Sequence, residues 1–268
     1  MKKLSLSILF VLVIFHANAT VDTLQTYSKA MNKTIKEVVV LPTNYEKMKE
    51  FPVLYLLHGY SGNYADWAKK NKHLQEYADL YQLIIVCPDG GFDSWYFNSK
   101  LTPEYQYETY VASELIADVD AHYKTIKSAK GRAITGLSMG GHGALYLAFR
   151  HQDVFGAAGS MSGGVDIRPF SQNWGIKTRL GDYASHPENW EQNTVINMQH
   201  LLTGKSLPLI IDCGSADFFY EVNVNLHEEL LYRNIPHEFI SRPGKHDWEY
   251  WNNALKYQLL FFKTFFDQ

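Results

Sequence analysis

The chain has 268 residues, of which 46% are hydrophobic and 20% charged, enough apolar material to build a sizeable core. Its formal net charge is −3, with no basic run and no stacking-aromatic motif, which argues against a polyanionic partner and leaves nucleic-acid binding without support. The two cysteines, Cys87 and Cys213, fit no zinc spacing and H-E-x-x-H is absent, so no metal is expected.

At the N-terminus Lys2 and Lys3 precede the apolar run Leu4 to Phe15, and "HANAT" offers a small-x-small site ending at Ala19. Residues 1–19 therefore read as a cleaved signal peptide, with 20–268 as the mature domain. The run is shorter than the ~20 residues a membrane-spanning helix needs. No cysteine follows it near the cleavage site, so a lipid anchor is disfavoured and a secreted or periplasmic protein with no membrane anchor after cleavage is expected. Export would permit a disulfide, but both cysteines end apolar strand-like runs, and buried free thiols are the expected state.

The remaining elements alternate. "TIKEVVVL" has the pattern of an antiparallel edge strand, whereas "FPVLYLLHG", "LIIVCPDGG", "RAITG", "AAGSMSGG" and "PLIIDCGSAD" hold apolar runs suited to strands buried on both faces. "HEFISRPG" supplies a last strand. "YVASELIADVDAHY" places Val111, Leu115, Val119 and Tyr123 on one helical stripe, and "VNVNLHEELLYRN" and "NALKYQLLFFKTFF" behave similarly. This alternation predicts an α/β fold: one domain with a mostly parallel central sheet and helices on both faces. Residues 165–206 are too long for an ordinary sheet connection. They form either a cap-like insertion near the site or a surface insertion with its own aromatic cluster around Trp174 and Trp190.

The stretch "RAITGLSMGGHGALYLAFR" carries the chemistry. G-x-S-x-G between a strand and a helix describes a nucleophile elbow, which exposes Ser138 above the carboxyl ends of the strands. Gly136 and Gly140 remove Cβ clashes around the strained serine, and Gly141 lets the helix approach the sheet. A serine hydroxyl is a weak nucleophile, so it needs a base oriented by a carboxylate, in the chain order Ser, acid, His. His246, between the last strand and the last helix, suits the base. Asp217, just beyond its strand, is favoured as the acid. Asp212, inside the strand, reads as a residue satisfied by backbone donors, and Asp247 is the weaker neighbour of His246. The N–H groups of Met139 and Tyr60 are the candidate oxyanion donors, and His58 reads as a structural hydrogen-bonding histidine.

With these residues in place, "PVLYLLHGYSGNYADW", "GLSMGG", "DCGSADFF" and "GKHDW" resemble the esterase D group of α/β-hydrolases over roughly Lys36 to the C-terminus. That group includes S-formylglutathione hydrolases, feruloyl and acetyl-xylan esterases, and mycolyltransferases. The resemblance implies Ser138 as nucleophile, Asp217 as acid, His246 as base, Tyr60 and Met139 as oxyanion donors, and no cofactor. Lys245 departs from the pattern, since polysaccharide-esterase relatives often carry a second glycine there. "DGGFDSWYFNS" resembles the family's substrate loop, which makes Trp95 a candidate substrate contact; Phe218 is a second, able either to line the pocket or to pack beneath it. The implied activity is an exported serine carboxylesterase acting on acetyl or feruloyl esters of plant polysaccharide. Acyl transfer to a sugar or lipid, S-formylglutathione hydrolysis and a non-catalytic binding protein are the rivals. No oligomeric state is legible.

Overall fold

The computed structural model describes residues 20–203 and 207–268, so the expected signal segment lies outside the described residues. Eight strands form one sheet: β1 Thr20–Ser28, β2 Lys33–Leu41, β3 Val53–Leu57, β4 Ile84–Pro88, β5 Arg132–Gly136, β6 Ala157–Met161, β7 Leu209–Gly214 and β8 Glu238–Arg242. Their order is β1-β2-β4-β3-β5-β6-β7-β8. β1, β2 and β4 pair antiparallel, and every pairing from β4 through β8 is parallel. The mostly parallel sheet with helices on both faces is the α/β arrangement anticipated from the alternating pattern, and it agrees with the α/β-hydrolase type that the resemblance implies.

The "VLYLL" run of β3 is buried throughout because both of its faces are covered. Strand alternation sends Val53, Tyr55 and Leu57 into one apolar layer and Leu54 and Leu56 into the other. The helices are α1 Asp66–Lys70, α2 Leu74–Tyr81, α3 Tyr107–Thr109, α4 Leu115–His122, α5 Met139–Arg150, α6 Ile176–Leu180, α7 Pro187–Asn193, α8 Tyr220–Tyr232 and α9 Trp248–Phe266. α5 and α8 pack in the first layer, while α1, α2 and α9 pack in the second. From Met139 through Phe149 every residue of α5 is buried, so this helix has no solvent face until its last residue.

Two expectations are corrected and one strand is added. β2 is antiparallel but is not the edge, because β1 pairs with it along nine residues, from Thr20 opposite Leu41 to Ser28 opposite Lys33. β1 itself, "TVDTLQTYS", went unread because its polar alternation gives little apolar signal. The helix expected over Tyr110 to Tyr123 contains a π-helical turn, Tyr110–Glu114, between α3 and α4. That wider turn buries the consecutive residues Tyr110, Val111 and Ala112, a broader face than an α-helical stripe presents. Val111, Leu115 and Val119 are buried as the stripe requires.

Cys87 in β4 and Cys213 in β7 are both buried and free, and the sheet order places β3, β5 and β6 between their strands. Burial pushes both thiols well above their ordinary pKa. Within 165–206, Trp190 is buried, packs on Tyr183 and donates from its ring nitrogen to the Gly181 carbonyl at 2.9 Å. Trp174 belongs to a different cluster, with Phe170, Phe218 and Phe219. The single aromatic centre considered for this segment is therefore two.

Candidate active site

The carboxyl ends of four parallel strands meet in one place, the usual location of sites in such sheets. β5 ends in the elbow: Ser138 has φ 56° and ψ −118°, a conformation unusual for a residue with a side chain. Its N–H donates to the Met161 carbonyl at 2.9 Å, which ties the strained turn to the end of β6. The adjacent glycine is a steric requirement. A Cβ at Gly140 would sit 2.6 Å from the His58 carbonyl oxygen and 2.7 Å from that of Leu57.

The loop after β8 brings His246 over the elbow, with Nε2 2.8 Å from Ser138 Oγ. The loop after β7 brings Asp217 to the other nitrogen, with Nδ1 2.8 Å from Oδ2 and 3.0 Å from Oδ1. A carboxylate can only accept here, so Nδ1 carries the proton and donates, which leaves Nε2 free to accept the serine hydroxyl proton. The Asp217 side chain is fully buried and that of His246 is 15% exposed, so the pair is screened from water while the imidazole edge faces the cavity. Asp217 is further held by the Phe219 N–H, which donates to Oδ1 at 2.8 Å.

The other carboxylates have separate duties. Asp212 is fully buried and binds the Arg242 guanidinium and the Tyr250 hydroxyl. Side chains rather than the expected backbone donors satisfy it, because β8 places Arg242 and α9 places Tyr250 over the end of β7. Burial raises the Asp212 pKa, and both partners oppose that rise. Asp247 is the N-cap of α9 and accepts from the Tyr250 N–H at 2.9 Å.

Met139 is the first residue of α5, where an N–H has no carbonyl of its own helix to reach. Tyr60 borders the same cavity as Ser138, on the loop after β3. That loop is positioned by His58: Nε2 accepts from the Gly90 N–H at 2.7 Å, so Nδ1 holds the proton and donates to the Gly59 carbonyl at 2.8 Å. Met139 thus adjoins the nucleophile in the chain, and Tyr60 lines the cavity that Ser138 also lines.

The cavity holds about 380 Å³ and is walled by Tyr60, Trp174, Phe218, Trp248 and Trp251 around Ser138 and His246. Phe218 is 51% exposed and stacks on Trp174 with centroids 5.4 Å apart. Trp95 is elsewhere: it is 1% exposed, lies behind this wall and donates from its ring nitrogen to the Trp174 carbonyl at 3.2 Å. It supports Trp174 in place of meeting a ligand. Its edge contacts His142, whose pKa burial lowers to about 4. Trp248 and Trp251 were not singled out from the sequence, although "GKHDWEYW" places them two and five residues beyond His246. Lys70 also escaped notice; it reaches the cavity rim over the Trp248 ring at 4.7 Å.

The family model described as "Putative esterase" matches residues 28–262. The acetyl esterase of Caldicellulosiruptor saccharolyticus is 27% identical over 254 residues, covering 85% of this chain and 92% of that protein. An esterase of Mycobacterium tuberculosis is 35% identical over 238 residues, which is 78% of this chain but only 51% of its own length. A solved ferulic acid esterase is 31% identical, covers 92% of this chain and 98% of its own, and superposes with a TM-score of 0.79. At 22% identity, FphF, a serine hydrolase of Staphylococcus aureus, shares the fold with a TM-score of 0.81 across 91% of this chain and 98% of its own. The chain belongs to this esterase family and has the α/β-hydrolase fold.

Proposed function

We propose that this is an exported carboxylesterase that removes acetyl or feruloyl groups from plant polysaccharide such as xylan. The observation that carries the reading is the unbroken line from Asp217 through His246 to Ser138, each step 2.8 Å. Ser138 Oγ attacks the ester carbonyl as His246 Nε2 takes its proton, and the Met139 and Tyr60 N–H groups receive the oxyanion. His246 then returns the proton to the departing alcohol, leaving an acyl-enzyme. Water, deprotonated by the same nitrogen, attacks the acyl carbon and regenerates the serine. Asp217 keeps the imidazole in its working tautomer and stabilises the imidazolium without itself taking the proton.

The acyl choice rests on an acetyl esterase relative and a ferulic acid esterase neighbour, and the aromatic cavity walls suit a planar acyl chain. Export rests on the sequence of residues 1–19. The test is hydrolysis of acetyl, butyryl and methyl ferulate esters by the mature protein, alongside Ser138→Ala. A strong ferulate preference assigns the aromatic wall to the acyl group, and acetyl preference assigns it to the sugar. Retained turnover in Ser138→Ala would refute the mechanism. Released free acid in the presence of an added glycan acceptor separates hydrolysis from acyl transfer.

A further inference from the structure

Asp217 and His246 both stand on loops, after β7 and β8, so their hydrogen bond depends on how those loops are held against each other. The tolerance is small, since a misplacement of about 1 Å can cost about 10²-fold in rate. Two main-chain bonds stitch the loops together: the Ser215 N–H donates to the Arg242 carbonyl and the Ala216 N–H to the Gly244 carbonyl, each at 2.9 Å.

Beneath this seam lies Asp212, fully buried near the end of β7, with its two oxygens divided between partners. Oδ2 accepts from the Arg242 guanidinium and Oδ1 from the Tyr250 hydroxyl. Arg242 is the last residue of β8 and Tyr250 lies in the first turn of α9, so the two partners flank His246 in the chain. One carboxylate therefore fastens both ends of the segment that carries the base. The Tyr250 ring also closes on that segment, because a Cβ at Gly244 would overlap it. The main chain of Asp212 reaches toward the nucleophile as well. Its carbonyl accepts from the Ser162 N–H at 2.7 Å, and the preceding residue, Met161, accepts from the Ser138 N–H at 2.9 Å.

Desolvation offsets much of the attraction within a buried ion pair, so such a pair is a weak source of net stability. What the divided carboxylate does supply is direction at two points of one loop. We propose that Asp212, through Arg242 and Tyr250, is a positioning residue for the triad: it holds the base loop in the register at which Nδ1 meets Asp217 and Nε2 meets Ser138. The proposal rests on the esterase reading of those three side chains.

The test compares the mature protein with Tyr250→Phe, which removes only the hydroxyl from Asp212 and leaves the ring against Gly244, and with Asp212→Asn. The kcat for p-nitrophenyl acetate is expected to fall about 10-fold in the first and about 100-fold in the second, with KM changed less than about twofold. In protein labelled at histidine nitrogen, the two imidazole resonances of His246 are expected to be well separated in the wild type, where Nδ1 holds the proton. They should move toward each other in both variants as the tautomer is released. A purely structural role would lower Tm and leave the tautomer alone. In Tyr250→Phe, an unchanged kcat or an unchanged pair of resonances overturns the positioning role, whatever happens to Tm. That variant decides the matter if Asp212→Asn fails to fold. If the wild type hydrolyses no ester, the esterase reading fails separately, and the resonances alone decide: convergence supports the positioning role, and no change overturns it.

Discussion

Phe218 lies against His246, with ring centroids 4.2 Å apart, while its chain neighbour Asp217 holds Nδ1 of the same imidazole at 2.8 Å. One short loop after β7 therefore supplies both the carboxylate that orients the ring and the aromatic face that shields it. We expect Phe218→Ala to lower kcat/KM about 3- to 10-fold, the scale of one lost aromatic pair, with little change in Tm. A large fall in Tm without a kinetic change would assign Phe218 to packing alone.

Asp217→Asn keeps the shape but removes the acceptor that fixes the tautomer of His246. The expected loss in kcat for p-nitrophenyl acetate is on the order of 10³–10⁴, with KM nearly unchanged. A loss smaller than tenfold would show that another group orients the imidazole.

Trp174 and Phe218 stack on the same wall, so their contributions to a planar acyl group are coupled. Trp174→Ala should raise KM for methyl ferulate more than for an acetyl ester, and the double variant with Phe218→Ala should cost less than the sum of the two. Strict additivity would mean that the two rings do not share a substrate contact.

Gly140→Ala places a methyl carbon 2.6 Å from the His58 carbonyl oxygen, against backbone that cannot rotate away. The expected destabilisation is about 1–3 kcal/mol in chemical denaturation, together with loss of turnover as the elbow shifts. Wild-type stability and activity in this variant would contradict the close approach of the two loops.

Glu37 is fully buried in β2, with Oε1 2.6 Å from Thr26 Oγ1, and that hydroxyl is also 2.7 Å from Asp118 Oδ2. One hydroxyl hydrogen cannot serve two carboxylates, so one carboxyl holds a proton. Burial raises the Glu37 pKa from 4.5 to about 7, against the hydroxyls of Thr26 and Tyr110. A raised folded value means that the stability contributed by protonated Glu37 is complete below the unfolded value and is lost as pH rises through the folded one. The Gln amide donates where the carboxyl proton did. Glu37→Gln should therefore match the wild type near about pH 4 and exceed its stability by up to about 3 kcal/mol near about pH 9. Urea denaturation at the two pH values checks the sign.

The order of the strands' chemistry was legible because each signal is local. A strand, a glycine-flanked serine and a helix determine the elbow within Arg132 to Arg150, and the positions of Asp217 and His246 just beyond their strands suffice to nominate them. What escaped depends on contacts between distant segments. Trp95 and Trp174 are both tryptophans in loops, but only the packing of 165–206 against the loop after β4 decides that Trp174 meets the cavity and Trp95 stands behind it. The strand β1 has too few apolar residues to announce itself and exists through its hydrogen bonds with β2. Lys70 looks like an ordinary surface charge along the chain until α1 and α9 bring it over the Trp248 ring at the cavity rim. Residue type and local spacing thus determine which chemistry the chain can perform, since the elbow's backbone geometry is built from neighbours. Which side chains surround that chemistry is decided by tertiary packing, because burial and charge proximity are properties of the assembled surface.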